Sequence, residues 1–126
     1  MPDSSVFPST FFSVVDLGDI HVVTINRDQL TEEDNIEQFG QDFNLLMEKH
    51  EVTKIVLMMN RVLCMSSSFI GKLISIHRKL NRSGGKLVLA ELTPEVANAL
   101  ETSQLLTYFH SSPDLAGAMT MLRVEG

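Results

Sequence analysis

A strand-like apolar run that leads through three serines into an amphipathic helix restricts the fold of this chain more than any other feature. Residues 54–59 (KIVLMM) are nearly all apolar and have the length of a strand. The stretch Val62–Leu73 (VLCMSSSFIGKL) follows and contains the serines. Apolar residues then recur at steps of four, three and four, as on one face of a helix, at Phe69, Leu73, Ile76 and Leu80. This region therefore predicts a buried strand that passes through a short turn into a helix.

The rest of the chain continues the alternation of strands and helices. Further strand patterns occupy residues 11–16, 21–26, 86–90 and, more weakly, 108–110. Helix starts are predicted at Thr31, Ser68, Thr93 and Ser112. The first helix should end at His50 and Glu51, and the second at about Arg82, before a left-handed cap at Gly84-Gly85. Leu17-Gly18-Asp19 makes the first two strands a hairpin, whereas strand–helix–strand units pair in parallel. We expect an α/β fold, with a small mixed β-sheet of four to five strands and about four α-helices packed on it.

Length and composition indicate one cytoplasmic globular domain. The 126 residues suffice for a single domain, and we expect residues 1–10 to be a loose lead-in. No apolar run approaches a membrane span, and the first twelve residues lack the pattern of a signal peptide. The single cysteine, Cys64, fits a reducing cytosol and is expected to be a small buried hydrophobe. The net charge of −6 excludes a general nucleic-acid binder and suits a protein partner with a basic face.

No pattern in the sequence nominates a catalytic, metal-binding or cofactor-binding residue. The four histidines fall in separate segments without metal-ligand spacing, and no phosphate-binding loop or G-x-S-x-G elbow occurs. Glu32, Glu33 and Asp34 are expected to interact with a helix dipole. Capping the second helix needs only one serine, whereas the chain places Ser66, Ser67 and Ser68 together. A helix N-terminus is also a favourable place for a phosphate group.

The motifs from Lys54 to Leu106, by their order and spacing, resemble the STAS domain, the fold of bacterial anti-sigma-factor antagonists and of the tails of sulfate transporters. The resemblance covers roughly residues 11–122, and we take 11–126 as the domain. The segments that carry it are MSSSFIGKL at 65–73, HRKL at 77–80, GGKLVL at 84–89, TPEV at 93–96 and LLTYF at 105–109. Two positions depart from the family pattern. Ser66 replaces the usual acidic residue before the phosphorylated serine, and Asn26-Arg27-Asp28 replaces a glycine after the second strand.

The resemblance implies a regulatory binding module that switches partners. Ser67 takes the position of the family's phosphorylated serine, and its neighbours Ser66 and Ser68 are the alternative acceptors. The implied partners are an anti-sigma-factor serine kinase and a PP2C-type phosphatase, with no direct contact to nucleic acid. The implied partner-binding residues are Met65, Ser66, Ser67, Ser68, Phe69 and Lys72.

Two other functions are compatible with the sequence. A STAS domain that is not phosphorylated would be a scaffold or a small-ligand sensor. It would dock through the turn formed by Ser66–Ser68, here called the serine turn, and through an exposed face around Phe69 and Lys72. An enzyme with Ser67 as its nucleophile would need a general base, which no motif supplies.

Overall fold

The helices and the strands of the main sheet follow one another in the predicted order, with two further short strands between them. The computed structural model describes residues 9–49 and 52–123. The strands are β1 (Phe12–Asp16), β2 (His21–Ile25), β3 (Gln29–Leu30), β4 (Lys54–Met58), β5 (Cys64–Met65), β6 (Lys86–Ala90) and β7 (His110–Ser112). The helices are α1 (Glu33–Lys49), α2 (Ser67–Arg82), α3 (Pro94–Thr102) and α4 (Leu115–Arg123). Three predicted features lie at least partly outside the described residues. They are the lead-in (residues 1–8 of the predicted 1–10), the end of the first helix at His50 and Glu51, and the last three residues of the predicted domain.

A mixed sheet with the strand order β1-β2-β4-β6-β7 forms the centre of the domain. The β1–β2 hairpin is antiparallel, and the other neighbouring strands of this sheet pair in parallel. Side chains alternate between the two faces, so that Leu57 and Leu89 point toward one core cluster while Val56 and Val88 point toward a second one. The first cluster contains the apolar faces of α1, α2 and α3, and the second contains that of α4. These four helices and the five-stranded sheet confirm the predicted fold.

Phenylalanine rings join the two helices that flank the serines to the sheet. Phe39 of α1 packs against Phe69 of α2, with ring centroids 5.1 Å apart, and against Phe12 of β1 at 5.7 Å. Leu73, Ile76 and Leu80 continue the buried face of α2, as their spacing predicted. Phe69 is itself fully buried. The prediction that Phe69 lies on an exposed, partner-binding face is therefore wrong. Phe69 belongs to the apolar stripe of α2, and that stripe faces the core.

A second, two-stranded parallel sheet was not predicted from the sequence. In it β3 pairs with β5, with Gln29 opposite Cys64 and Leu30 opposite Met65. Cys64 is exposed, so the expectation that it is buried is wrong. Strict alternation after buried Val62 would turn Cys64 inward again, but the consecutive amides of Leu63 and Cys64 both donate to the carbonyl of Asp28, as in a β-bulge, and both side chains are exposed. The last short strand also lies two residues later than predicted, because the backbone at Tyr108 and Phe109 turns back to the carbonyl of Leu105.

The end of α2 is set by two glycines with different roles. Gly84 has a φ of +80°, which confirms the predicted left-handed cap. Gly85 instead permits a close approach, since a Cβ atom there would overlap the backbone carbonyl of Thr53. The amide of the next residue, Lys86, donates to that same carbonyl at 2.8 Å, which aligns β6 beside β4. The turn at Gly84 and Gly85 therefore fixes both the end of α2 and the start of the pairing between β4 and β6.

Candidate functional site

The serine turn lies at the end of the domain where the parallel strands β4 and β6 finish and where α2 begins. The β3–β5 pair fixes the segment of chain that leads into this turn. The amides of Leu63 and Cys64 donate to the carbonyl of Asp28 at 2.8 and 3.1 Å, and the amide of Ser66 donates to Leu30 at 3.1 Å. On the other side, the Thr93 hydroxyl donates to the carbonyl of Val62 at 2.7 Å. The turn is therefore fixed from two directions before the helix starts.

The three serines of the turn have three different environments. Ser66 is the N-cap of α2, with extended backbone angles, and its Oγ accepts a hydrogen bond from the Phe69 amide at 3.3 Å. Ser68 is exposed, and its Oγ donates to Oε2 of Glu33 at 2.6 Å. Ser67 is the first residue of α2 and is exposed, and within residues 9–49 and 52–123 its side chain has no hydrogen-bond partner. Of the three hydroxyl groups, that of Ser67 is the one available to another molecule.

Glu33 brings a carboxylate to a turn whose own sequence contains none. It lies in the first turn of α1, which places its charge at the positive end of that helix, as the sequence predicted. Its contact with Ser68 was not predicted, because the two residues are 35 positions apart and meet only through the packing of α1 beside α2. The family pattern has an acidic residue at the position of Ser66, and in this chain an acidic side chain reaches the turn from α1 instead.

Two ion pairs extend the contact between α1 and α2 beyond the Ser68–Glu33 hydrogen bond. Nζ of Lys72 lies 3.6 Å from Oε1 of Glu37, and Nζ of Lys79 lies 3.2 Å from Oε2 of Glu48. The Lys72 side chain crosses α1 at Gly40. A Cβ atom added to Gly40 would lie 3.0 Å from the Cε atom of Lys72. A glycine in the middle of a helix usually costs stability, and here it leaves room for this lysine. Lys72 is therefore half-buried and paired within the domain.

The exposed surface beside the serines differs from the predicted set of contact residues. Met65 and Ser66 are half-buried, and Ser67 and Ser68 are exposed. Leu63 was not predicted, yet 49% of it is exposed immediately before the turn, next to exposed Cys64. The alternation of side chains after buried Val62 is the signal that could have identified Leu63. The surface that another protein can reach is thus formed by the serines and by the β5 segment before them, without Phe69.

The four acidic residues that precede α1 or lie in its first turn are also exposed: Asp28, Glu32, Glu33 and Asp34. Since Glu33 contacts Ser68 directly, these side chains give the neighbourhood of the turn a negative potential.

Within the described part of the chain, the one titratable group whose pKa clearly departs from its ordinary value lies outside the serine turn. His77 of α2 is buried among aromatic rings, with its ring centroid 5.0 Å from that of Tyr108, 5.5 Å from that of Phe109 and 5.8 Å from that of His110. Burial, and secondarily the charge of His110, lower the pKa of His77. This group is part of the packing of α2 against residues 108–110, and it does not face the serines.

The described residues form neither a metal-binding cluster nor a helix that could cross a membrane. Over residues 9–49 and 52–123, no group of three or more histidine, cysteine, aspartate or glutamate side chains is arranged to hold a metal ion. In the same part of the chain, none of the helices has the length and apolar character needed to cross a membrane.

Solved structures of anti-sigma-factor antagonists have the same fold as this chain. SpoIIAA of Bacillus in its unphosphorylated form matches with a TM-score of 0.73 at 20% identity, over 91% of this chain and 98% of that one. An anti-sigma factor antagonist of Mycobacterium paratuberculosis matches with a TM-score of 0.76 at 18% identity, over 89% and 92% of the two chains. A serine-to-glutamate variant of RsbS of Moorella thermoacetica matches with a TM-score of 0.72 at 21% identity, over 87% and 92%.

The sequence itself matches the profile of the STAS domain over residues 14–118. That range begins within β1 and ends within α4, and it includes the serine turn, α2 and the other four strands of the five-stranded sheet. The match covers most of the chain, and the fold and the order of the elements agree with it. This chain belongs to the STAS domain family.

Proposed function

We propose that this protein is an anti-sigma-factor antagonist in a bacterial partner-switching pathway, controlled by reversible phosphorylation of Ser67. The observation that carries the proposal is the state of the Ser67 hydroxyl, which is exposed and unbonded in the described residues while both neighbouring hydroxyls are engaged. In this role the protein regulates transcription through protein contacts in the cytoplasm. It has no catalytic activity of its own and makes no direct contact with nucleic acid.

The position of Ser67 suits a phosphate group. As the first residue of a 16-residue helix, it lies beside backbone N–H groups that have no partner within the helix. Those groups and the helix dipole stabilise a negative charge at this end. A phosphate on Ser67 would therefore leave the fold intact and change the surface, which is what a reversible switch requires.

The reaction itself belongs to the partners. A serine kinase that is also the anti-sigma factor would transfer the γ-phosphoryl group of ATP to the Ser67 oxygen, which releases ADP and the hydroxyl proton. A PP2C-type phosphatase would hydrolyse the phosphoserine with water and restore the hydroxyl group. The added bulk, and the cost of removing about −1.5 to −2 charges from water at the centre of a tightly packed contact surface, would release the kinase.

The proposed contact surface is formed by the serine turn and the β5 segment, together with half-buried Lys72 further along α2. It comprises the predicted residues Met65, Ser66, Ser67, Ser68 and Lys72, with the addition of Leu63 and Cys64 and the removal of Phe69. Exposed Leu63 supplies apolar area beside the hydroxyl groups, and the nearby acidic side chains favour a partner with a basic surface.

The related solved structures support a serine-centred switch. The structure of Bacillus SpoIIAA is known in a phosphorylated form as well as an unphosphorylated one. The matching RsbS structure carries glutamate in place of a serine.

Peptide mass spectrometry of the protein isolated from its native host tests the proposal. We expect phosphate on Ser67 in a fraction of the molecules, and loss of that phosphate in a Ser67→Ala variant. A serine turn that stays unmodified under several growth conditions would contradict phosphorylation control and favour the scaffold or small-ligand sensor.

A further inference from the structure

We propose that Glu33 is a specificity-determining residue that confines phosphorylation to Ser67 by excluding it from Ser68. The inference rests on the proposed function, since it concerns the choice of acceptor within the serine turn. Ser67 and Ser68 are both exposed and adjacent in the first turn of α2, so exposure alone does not distinguish them. What distinguishes them is the hydrogen bond from the Ser68 hydroxyl to Glu33 of α1.

The first step of the argument is the hydrogen bond itself. The Ser68 hydroxyl donates to the Glu33 carboxylate at 2.6 Å, a distance typical of a charge-assisted O–H···O⁻ bond. A hydroxyl held in this way points toward α1, so the Ser68 side chain must rotate away from Glu33 before its oxygen can reach ATP and the catalytic base of a kinase. The Ser67 hydroxyl has no such bond to break in the described part of the chain.

The second step concerns the product. A phosphate on Ser68 would replace the hydroxyl donor by two negative charges beside the Glu33 carboxylate, so that an attraction becomes a repulsion. Successive side chains of an α-helix point about 100° apart, so a phosphate on Ser67 extends away from the direction in which Ser68 meets Glu33. The product at Ser67 therefore keeps the hydrogen bond between α1 and α2, whereas the product at Ser68 loses it.

Charge variants of the purified protein test the physical core of this proposal without a kinase. We expect Ser68→Asp to raise the equilibrium constant for unfolding about tenfold in the native background, because the loss of a charge-assisted bond and the new like-charge contact outweigh the favourable helix dipole. In a Glu33→Gln background the same change should have less than about a threefold effect, since the amide group introduced on α1 can donate to the new carboxylate. Urea titration of the four proteins gives the comparison.

Two controls match these variants closely. Ser67→Asp adds the same charge one residue earlier and should change unfolding by less than about threefold in either background, because the helix dipole favours it. Glu37→Gln removes a carboxylate one turn later on α1, where the partner is Lys72, and should leave the tenfold effect of Ser68→Asp unchanged. Equal effects of Ser68→Asp in the native and the Glu33→Gln backgrounds would overturn the proposal.

Mapping phosphate by mass spectrometry in the native host tests the specificity directly. We expect phosphate on Ser67 alone in the native protein and on both Ser67 and Ser68 in Glu33→Gln. Phosphate on Ser67 alone in both proteins would refute the role of Glu33 and leave the proposed function standing. Phosphate on Ser68 of the native protein would also refute it. A native protein without any phosphate would refute the proposed function, and the inference with it.

Discussion

The ring of Phe69 packs against that of Phe39, with centroids 5.1 Å apart and planes inclined at 61°. This contact lies one residue beyond the exposed serines and joins α2 to α1 inside the core. The serine turn is therefore attached directly to a rigid part of the domain. A switch with this arrangement can change its surface charge while the scaffold below it stays in place.

Replacing Phe69 tests whether this side chain belongs to the core or to the contact surface. We expect Phe69→Ala to lower the free energy of unfolding by about 3–5 kcal/mol, since a fully buried ring is removed and a cavity remains. Leu63→Ala is the matched control, because Leu63 is 49% exposed and its loss should cost about 0.5 kcal/mol or less. A small effect of Phe69→Ala on stability, together with weaker partner binding, would restore the original assignment of Phe69 to the interface.

The cap of α2 can be separated from the proposed acceptor by two neighbouring substitutions. Ser66→Ala removes the oxygen that accepts from the Phe69 amide, and we expect a loss of about 1 kcal/mol. Ser67→Ala removes a hydroxyl that has no hydrogen-bond partner among residues 9–49 and 52–123, and it should cost less than about 0.5 kcal/mol. Chemical denaturation of both variants measures the difference. A larger loss for Ser67→Ala than for Ser66→Ala would show that the two serines have the opposite roles.

The sequence predicted the elements of this fold because their signals are local. The spacing of Phe69, Leu73, Ile76 and Leu80 fixes the buried face of α2, and the burial of all four confirms it. Thr93 and Pro94 likewise mark the start of α3, where the Thr93 side chain accepts from the Val96 amide. Each of these features depends on residues a few positions apart, so periodicity and capping rules find them.

The site was predicted less well because its contacts are distant in sequence. The bond from Ser68 to Glu33 and the pairing of β3 with β5 join residues about 35 positions apart, and no spacing rule connects them. Phe69 and Cys64 were misassigned for a different reason. Their exposure depends on which way an extended segment or a helix turn faces. The family motif identifies the positions of these residues in the chain, but it does not show whether their side chains face the core or the solvent.

The two glycines on α2 and just beyond it should respond to alanine in opposite ways. Gly85→Ala places a Cβ against the Thr53 carbonyl, and we expect a loss of about 1–3 kcal/mol because backbone must move. Gly71→Ala lies inside α2 with no atom within 4 Å of the added Cβ, so the better helix propensity should raise stability by about 0.5–1 kcal/mol. Thermal or urea unfolding measures both changes. Equal effects at the two positions would contradict the close approach of α2's end to Thr53.

The stability of the domain should fall as the pH is lowered below the ordinary range of histidine. Burial, with a further contribution from His110, lowers the pKa of His77 in the folded state below the 6.5 of an unfolded chain. The unfolded chain therefore binds this proton first as the pH falls. The contribution of His77 is fully present above pH 6.5 and is lost as the pH decreases toward its folded pKa. Urea unfolding at a series of pH values between about 8 and 5 measures this slope.

Two variants show whether His77 causes that slope. His77→Leu removes the titrating group together with its Nδ1 atom, which is buried and has no hydrogen-bond partner in the described residues, and should flatten the pH dependence in this window. His110→Gln keeps His77 but removes the neighbouring charge, so the pKa of His77 should rise part of the way toward its ordinary value and the slope should become shallower. Because burial is the larger cause, His77→Leu should have the stronger effect of the two. An unchanged slope in His77→Leu would assign the acid sensitivity to another group.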